Sequence, residues 1–270
     1  MITAVIKNIK QAKDIKDLVD AYIAPIKDFS INYENTFELK DIKQLKDYKK
    51  QIFLAVNKNI HNNELEDLKI LLKEIETLNI DGIIFYDIAL VNLKKKLNLK
   101  TPLVWAQEHL TTNYQTINYW NEKDAKFAYL SSELTKKEMD EIKKQTNSKL
   151  FVNVFGYLPM FTSRRHLVTN YLQYFNLKDN NKSKSIYKEE KYYPISDNKH
   201  GTTVYSDYIL NALDENFKEY DYLVFNSNLI SDNDFKDTLI KYKDNKSNYK
   251  FPFNHGFLNK ETIYKVKKNA

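Results

Sequence analysis

Two adjacent arginines are the most distinctive chemical feature of the sequence. Arg164 and Arg165 lie in the segment FGYLPMFTSRRHLVTNYL (155–172), and they are the only arginines among 42 basic residues. Arginine presents a planar fork of N–H donors that grips a carboxylate or phosphate with two hydrogen bonds, which lysine cannot do. The pair therefore predicts an anion-binding site. The alternative is that one arginine only holds a loop by pairing with a carboxylate such as Glu133.

The residues around the arginines predict how they are positioned. Gly156 and Pro159 predict a turn after a strand, and Thr162 or Ser163 predicts the N-cap of a helix that begins at Arg164. A helix N-terminus attracts anions through its free N–H groups. Because neighbouring helical residues diverge by about 100°, one arginine is expected to be structural.

Further polar residues follow the ends of apolar segments, where a barrel of parallel strands would place functional side chains. The candidates for acid–base chemistry are Asp87, Glu133 and His166. The residues predicted to bind a ligand, together with both arginines, are Gln107, Asn57, His109 and Ser163. Any barrel of this kind has carboxylates at the carboxyl ends of its strands. Only the predicted positions of these three residues therefore support an acid–base role.

Cysteine and histidine usage limits the chemistry. The chain has no cysteine, which excludes disulfides, thiol nucleophiles and iron–sulfur clusters held by cysteine. No two of the five histidines have the i, i+4 spacing of a helical metal site. His61, His109 and His166 could converge at one end of a barrel, but surface roles are favoured. We therefore predict no resident metal or cofactor.

Eight short apolar segments alternate with amphipathic segments, which predicts strands buried on both faces and helices between them. The strand segments are 2–8, 20–26, 51–58, 81–90, 102–107, 126–134, 149–157 and 221–230. This order favours an α/β fold, a closed (β/α)8 TIM-type barrel. The alternative is an open doubly wound sheet, but a Gly-rich turn after the first strand is absent and the chain has only four glycines.

Helical spacing of apolar residues defines the segments between the strands. The predicted helices are 40–50, 62–79, 89–98, 111–124, 134–147, 163–175, 206–220 and 231–243. Thr135 followed by Glu138 predicts a capping box at the start of one of them.

Two segments depart from the alternation. Residues 186–205 predict an inserted β-hairpin, with IYKEEKYYPI and TTVYS as its strands. Residues 245–270 predict a tail packed on the body through Ile263, Tyr264 and Val266. No Gly-, Ser- or Pro-rich linker divides the chain, so we predict a single domain over 1–270.

Charge and hydropathy indicate the expected cellular location of the protein and the kinds of molecule it could contact. The net charge is +6 and the isoelectric point about 9.0, with lysines and acids interleaved. This pattern is typical of solvated helix faces, although a basic surface also attracts RNA. No apolar segment reaches the roughly 20 residues of a membrane span. The start of the chain lacks the apolar length of a signal peptide. We expect a cytoplasmic protein without membrane contact.

The segment ELTKKEMDEIKKQTNSKLFVNVFGYLPMFTSRRHLVTNYL (133–172) resembles the signature region of the collagenase-like peptidase family U32. The matching residues are Glu133, Leu134, Gly156, Leu158, Pro159, Met160, Ser163 and Arg165. Residues 107–120, 193–211 and 256–268 are similar to further segments of that family, so the resemblance covers most of the chain.

The resemblance implies a (β/α)8 barrel and two kinds of activity. One is peptidase activity; the other is hydroxylation of the wobble uridine of transfer RNA, with a small dicarboxylate such as prephenate. Family members of the second kind hold an iron–sulfur cluster with four cysteines, whereas His166 here follows Arg165 where cysteine is frequent. The resemblance thus implies a cluster-free member or a partner of a larger cysteine-containing paralogue. A non-catalytic binding barrel is the remaining alternative.

Overall fold

A computed structural model describes residues 1–107, 110–179 and 183–260. Its centre is a closed barrel of eight parallel strands, which confirms the predicted fold. The barrel strands are β1 (Ile2–Val5), β2 (Ala21–Pro25), β3 (Gln51–Val56), β4 (Gly82–Phe85), β5 (Leu103–Trp105), β6 (Phe127–Tyr129), β7 (Lys149–Ser163) and β11 (Tyr222–Asn226). β11 pairs with both β7 and β1, so the barrel has no open edge.

Helices surround the barrel. They are α1 (Ile9–Ile15), α2 (Leu39–Lys46), α3 (Leu65–Leu78), α4 (Ile88–Leu97), α5 (Tyr114–Glu122), α6 (Lys136–Gln145), α7 (Leu167–Tyr174) and α8 (Asp232–Lys243). The predicted capping box at α6 is confirmed, since Thr135 Oγ1 accepts from Glu138 N–H and the Glu138 carboxylate accepts from Thr135 N–H. Within the described parts of the chain, no helix is long and apolar enough to cross a membrane.

The interior of the barrel is filled by aromatic rings. Phe151 lies between Tyr222, at 4.1 Å between ring centroids, and Phe53, at 4.9 Å. All three side chains are buried. Nearer the carboxyl ends of the strands, the small side chains of Ala55 and Ala106 lie among larger ones such as Ile84. The middle of the barrel is therefore closed by packing.

The inserted segment is larger than the predicted hairpin. β8 (Lys184–Lys188), β9 (Lys191–Asn198) and β10 (Gly201–Asn211) form antiparallel pairs, and β10 continues onto β7. Glu189 and Glu190 both have positive φ and form the β8–β9 turn. Glutamate rarely occupies such a turn, so the sequence predicts KEEK (188–191) as part of one strand. We call β8–β10, α7 and the rim end of β7 the extension.

Two predicted details at the start of this region are wrong. Gly156 and Pro159 lie inside β7, where Gly156 has φ +121° and the register with β10 shifts, so the strand bends without turning. Arg164 and Arg165 lie between β7 and α7, because α7 begins at Leu167 after the N-cap residue His166.

The helix predicted over 206–220 is also wrong. Its first part is the end of β10, where Ile209 and Leu210 pair with Tyr157 and Gly156 of β7. The apolar spacing there fits either structure, and pairing with the long β7 strand decides it.

The described part of the tail crosses the barrel near β10. Asn254 pairs with Asn211, and the Phe251 ring lies 5.9 Å from that of Phe155. Leu258 is buried. Residues 261–270, with the predicted contacts of Ile263, Tyr264 and Val266, lie outside the described residues.

Candidate anion-binding site at the barrel mouth

The loop after β2 covers the mouth and is held by two buried asparagines. Asn57, at the end of β3, accepts from Ile31 N–H at 3.1 Å and donates to Ile31 C=O at 3.3 Å. Asn228 donates to Asn32 C=O at 3.0 Å. Both asparagine side chains are thus satisfied by loop backbone, as buried polar groups require. A ligand-binding role of Asn57 stays a prediction.

The same loop joins the extension to the barrel. The side-chain oxygen of Asn32 accepts from Thr162 Oγ1 of β7 at 2.7 Å and from Thr203 Oγ1 of β10 at 3.0 Å. The loop, β7 and β10 therefore meet at one buried amide, and this junction forms one wall of a cavity.

A cavity of about 330 Å³ opens between this loop and the rim of the barrel. Its lining includes two positively charged side chains, two aromatic rings, one thioether and several amide groups. The lining includes Lys58, Asn59, Tyr86, Gln107, Met160, Phe161 and Arg164. The structure thus brings the predicted Arg164 and Gln107 to one cavity. Lys58 was not predicted, because a single lysine among 40 carries no signal in the sequence.

Lys58 and Arg164 share one carboxylate. Lys58 is almost fully buried, and its Nζ donates to Glu64 Oε1 at 2.7 Å. Arg164 Nη2 lies 3.8 Å from the same oxygen, and Nη1 donates to the carbonyl of Asn59 at 3.2 Å. Two cations against one carboxylate leave an excess of one positive charge beside the cavity. A second anion would complete the pairing.

Glu64 is the fixed anion of this group. Burial acts to raise the pKa of its carboxyl, but hydrogen bonds from Lys58 and the His61 backbone, with the charges of Lys58 and Arg164, hold that pKa below its usual range. Glu64 is therefore ionised at neutral pH.

His200 adds no charge to the region. Burial, and then the positive charges of Lys58 and Lys199, lower the pKa of its imidazole to about 4. Its Nε2 is buried without a hydrogen-bond partner among the described residues, 3.9 Å from Asp28 Oδ1. The imidazole is neutral at pH 7, so the cationic character of the mouth rests on the lysine and arginine side chains.

Arg165 lies in different surroundings from Arg164. Its N–H donates to Ser163 Oγ at 3.2 Å, and its carbonyl accepts from Thr202 Oγ1 at 2.9 Å. The guanidinium is exposed and has no hydrogen bond or ion pair among the described residues. Ser163 therefore shapes the bend after β7, and only one of the two arginines lines the cavity.

The candidates for acid–base chemistry lie apart from this cavity. Asp87 accepts from the N–H groups of Ala89 and Ile60, at 2.9 and 2.8 Å, and so caps α4. Glu133 lines a neighbouring pocket with Met160. His166 Nδ1 lies 3.1 Å from Asp197 Oδ1 at the start of α7.

Two further predictions concern histidine and metal binding. His109 lies outside the described residues. Among the residues that the structure describes, no group of three His, Asp or Glu side chains is arranged to hold a metal ion.

The sequence of this chain is similar to those of known proteins. The model of the family described as peptidase family U32 matches residues 8–225. The tRNA hydroxylation protein P2 of Bacillus subtilis is 28% identical over 173 residues, which cover 61% of this chain and 56% of that protein. The tRNA hydroxylation protein P of Escherichia coli is 27% identical over 124 residues, which cover 46% and 27%. The chain therefore spans about half or less of these relatives.

Solved structures show the same architecture. A U32 peptidase superposes with a TM-score of 0.54 at 10% identity, covering 83% of this chain and 91% of that one. A chain of the tryptophan synthase complex of Pyrococcus furiosus gives 0.50 at 12% identity, covering 90% and 97%. At these identities the likeness concerns the fold alone.

Proposed function

We propose that this chain, which belongs to peptidase family U32, takes part in the hydroxylation of transfer RNA by binding an anionic group at its barrel mouth. The observation that carries the proposal is the match over 173 residues to a tRNA hydroxylation protein. The cavity beside Lys58 and Arg164 supports it, since one positive charge there lacks an anion.

The cavity favours an organic anion over a simple ion. Arg164 can grip a carboxylate or phosphate with its guanidinium fork, and Lys58 adds a point charge. Tyr86, Met160 and Phe161 supply apolar walls, and Gln107 offers an amide. A small cyclic dicarboxylate such as prephenate fits this chemistry, and so does a nucleotide of the RNA.

The absence of cysteine bears on how this chain could take part in an oxidative reaction. This chain has no thiolate with which to hold an iron–sulfur cluster. We infer that it acts in the cytoplasm either as a cluster-free member or with a larger paralogue that carries the cysteines. Its own residues then bind and orient an anionic group, and no oxidative step is assigned to them.

The experiment is deletion of the gene in its native host, followed by mass spectrometry of nucleosides from transfer RNA. We expect the hydroxylated wobble uridine to be lost and to return with the wild-type gene. Complementation with Arg164→Gln should fail, whereas the adjacent Arg165→Gln is the matched variant outside the cavity. Normal modification in the deletion strain would overturn the proposal. Purified protein incubated with gelatin, with and without chelator, tests the peptidase alternative.

A further inference from the structure

Helix α7 differs from the other α-helices of the described chain because it buries none of its side chains. Its eight residues, LVTNYLQY, include no charged residue, whereas seven of the ten in α6 are charged. Tyr171 is 57% exposed and Tyr174 is 80% exposed. Their rings lie 4.8 and 4.9 Å from the ring of Phe175, which is also exposed. Three aromatic rings therefore form a cluster open to solvent.

Polar contacts at its first turn fix α7 in place. The Asp197 carboxylate of β9 accepts from Thr169 N–H at 2.9 Å and faces His166 at 3.1 Å. Leu167 N–H donates to Thr202 Oγ1 of β10 at 2.8 Å. These bonds hold the helix against the extension without burying its rings, so the rings are available to a partner.

Three lysines lie on the face of the extension that carries α7. Along β9, Lys191 lies on the same face as Asp197, since strand residues alternate, and that face carries α7. Lys188 of β8 pairs with Lys191, and Lys184 lies on the same face four residues away. We call these three lysines with Tyr171, Tyr174 and Phe175 the α7 platform.

The net charge of the residues around α7 indicates what kind of partner this surface would bind. Residues 164–200 contain eight basic and four acidic side chains, so they carry +4 of the chain's net charge of +6. A second copy of the chain would bring like charge against like charge. A polyanion would neutralise it. Each platform lysine has an acidic neighbour: Lys184 pairs with Asp179, Lys188 lies 3.6 Å from Glu189, and Lys191 pairs with the mostly buried Asp207. Surface ion pairs contribute little free energy, so a phosphate can compete for Lys184 and Lys188.

We propose that the α7 platform binds a single-stranded segment of RNA, with bases stacked on its aromatic rings and phosphates on its lysines. This inference rests on the proposed function and extends it, because it places the RNA outside the barrel mouth. Arg165 is exposed beside the first turn of α7, whereas its neighbour Arg164 lines the cavity.

The extension supplies a matched control. Tyr187 and Tyr192 form a cross-strand pair, 4.8 Å between ring centroids, and are 61% and 64% exposed. Alternation places them on the face opposite Asp197 and α7. The double variant Tyr187→Ser/Tyr192→Ser therefore removes nearly as much exposed aromatic surface from the same extension without changing a platform residue.

The test is fluorescence anisotropy of the full chain with a labelled, unstructured 20-nucleotide RNA and with transfer RNA transcript. Tyr171→Ser/Tyr174→Ser should weaken binding about tenfold or more, since one stacked base contributes roughly that factor. Lys184→Gln/Lys188→Gln should reduce the salt dependence of binding by about one to two phosphate contacts. The Tyr187→Ser/Tyr192→Ser control should bind like the wild type.

Several results would overturn the proposal. These are a wild type that binds neither RNA, a platform variant with wild-type affinity, and equal losses from the platform and control variants. A platform variant that instead changes the oligomeric mass or the binding of an acidic protein would assign this face to protein. Transfer RNA from the deletion strain decides the proposed function separately. Platform variants that restore full hydroxylation there would reject the platform and leave the function intact.

Discussion

The interior of the barrel and its mouth are built in opposite ways. Around Phe151 the interior consists of stacked rings without a charged group. At the mouth, Lys58, Glu64 and Arg164 meet beside buried asparagines. Apolar burial stabilises the interior, whereas the mouth places charges where a ligand can use them. Stability and binding are therefore separated along the barrel axis, so substitutions in the interior should mainly change the free energy of unfolding and substitutions at the mouth mainly ligand affinity.

The largest effect is expected in the interior. Phe151→Ala removes a ring that packs on Tyr222 and Phe53, and should lower the free energy of unfolding by about 3–5 kcal/mol. Urea denaturation monitored by circular dichroism measures it. Phe161→Ala at the mouth, where the ring is exposed, should cost less than about 1 kcal/mol. Equal losses would break the proposed separation.

Removing the carboxylate that pairs buried Lys58 should come next. Glu64→Gln should lower the free energy of unfolding by about 3 kcal/mol near neutral pH, because a buried cation loses its partner. The folded-state pKa of Glu64 lies below its usual 4.5. Its contribution should therefore be complete above pH 4.5 and fade as the pH falls through the lower value.

Measuring the free energy of unfolding of Glu64→Gln and the wild type at several pH values distinguishes loss of the ion pair from a general loss of packing. Glu66→Gln, on the exposed face of α3 beside Lys69, is the control and should leave stability unchanged. A Glu64→Gln deficit that stays constant down to pH 2 would contradict the ion-pair explanation.

A smaller effect is expected on ligand binding than on stability. Arg164→Gln should weaken the binding of prephenate about tenfold, because it removes the N–H donors of the guanidinium from the cavity. A tenfold loss of affinity corresponds to about 1.4 kcal/mol. Isothermal titration calorimetry measures it. Arg165→Gln should bind like the wild type. If neither variant changes the affinity, the arginine pair has no part in anion binding.

The smallest effect concerns the anchor of α7. Asp197→Ala removes the acceptor for Thr169 N–H, so hydrogen exchange over Leu167–Tyr174 should quicken about threefold. Exchange in the barrel strands should not change. Asp179→Ala, which removes the carboxylate that pairs with Lys184 outside α7, is the comparison variant. Quicker exchange throughout the barrel would show that the extension is part of its cooperative unit.

Alternation of apolar and amphipathic segments was sufficient to predict the barrel, because most of its strands are buried on both faces. Each of the eight predicted strand segments contains a barrel strand or, for β7, most of one. The extension was predicted only in outline. Strand β10 has apolar spacing that also fits a helix, and its antiparallel pairing with β7 depends on residues about 50 positions away. Local pattern cannot supply a contact of that separation.

The barrel, the lack of cysteine chemistry and the two adjacent arginines can all be inferred from the amino-acid sequence. The sequence does not show that Arg164 joins Lys58 around Glu64, while Arg165 lies outside the cavity beside α7, because these contacts form only on folding. A charged side chain acquires its role from its neighbours and its burial. Lys58 and Glu64 are six residues apart, but Arg164 reaches them from the far side of the barrel mouth.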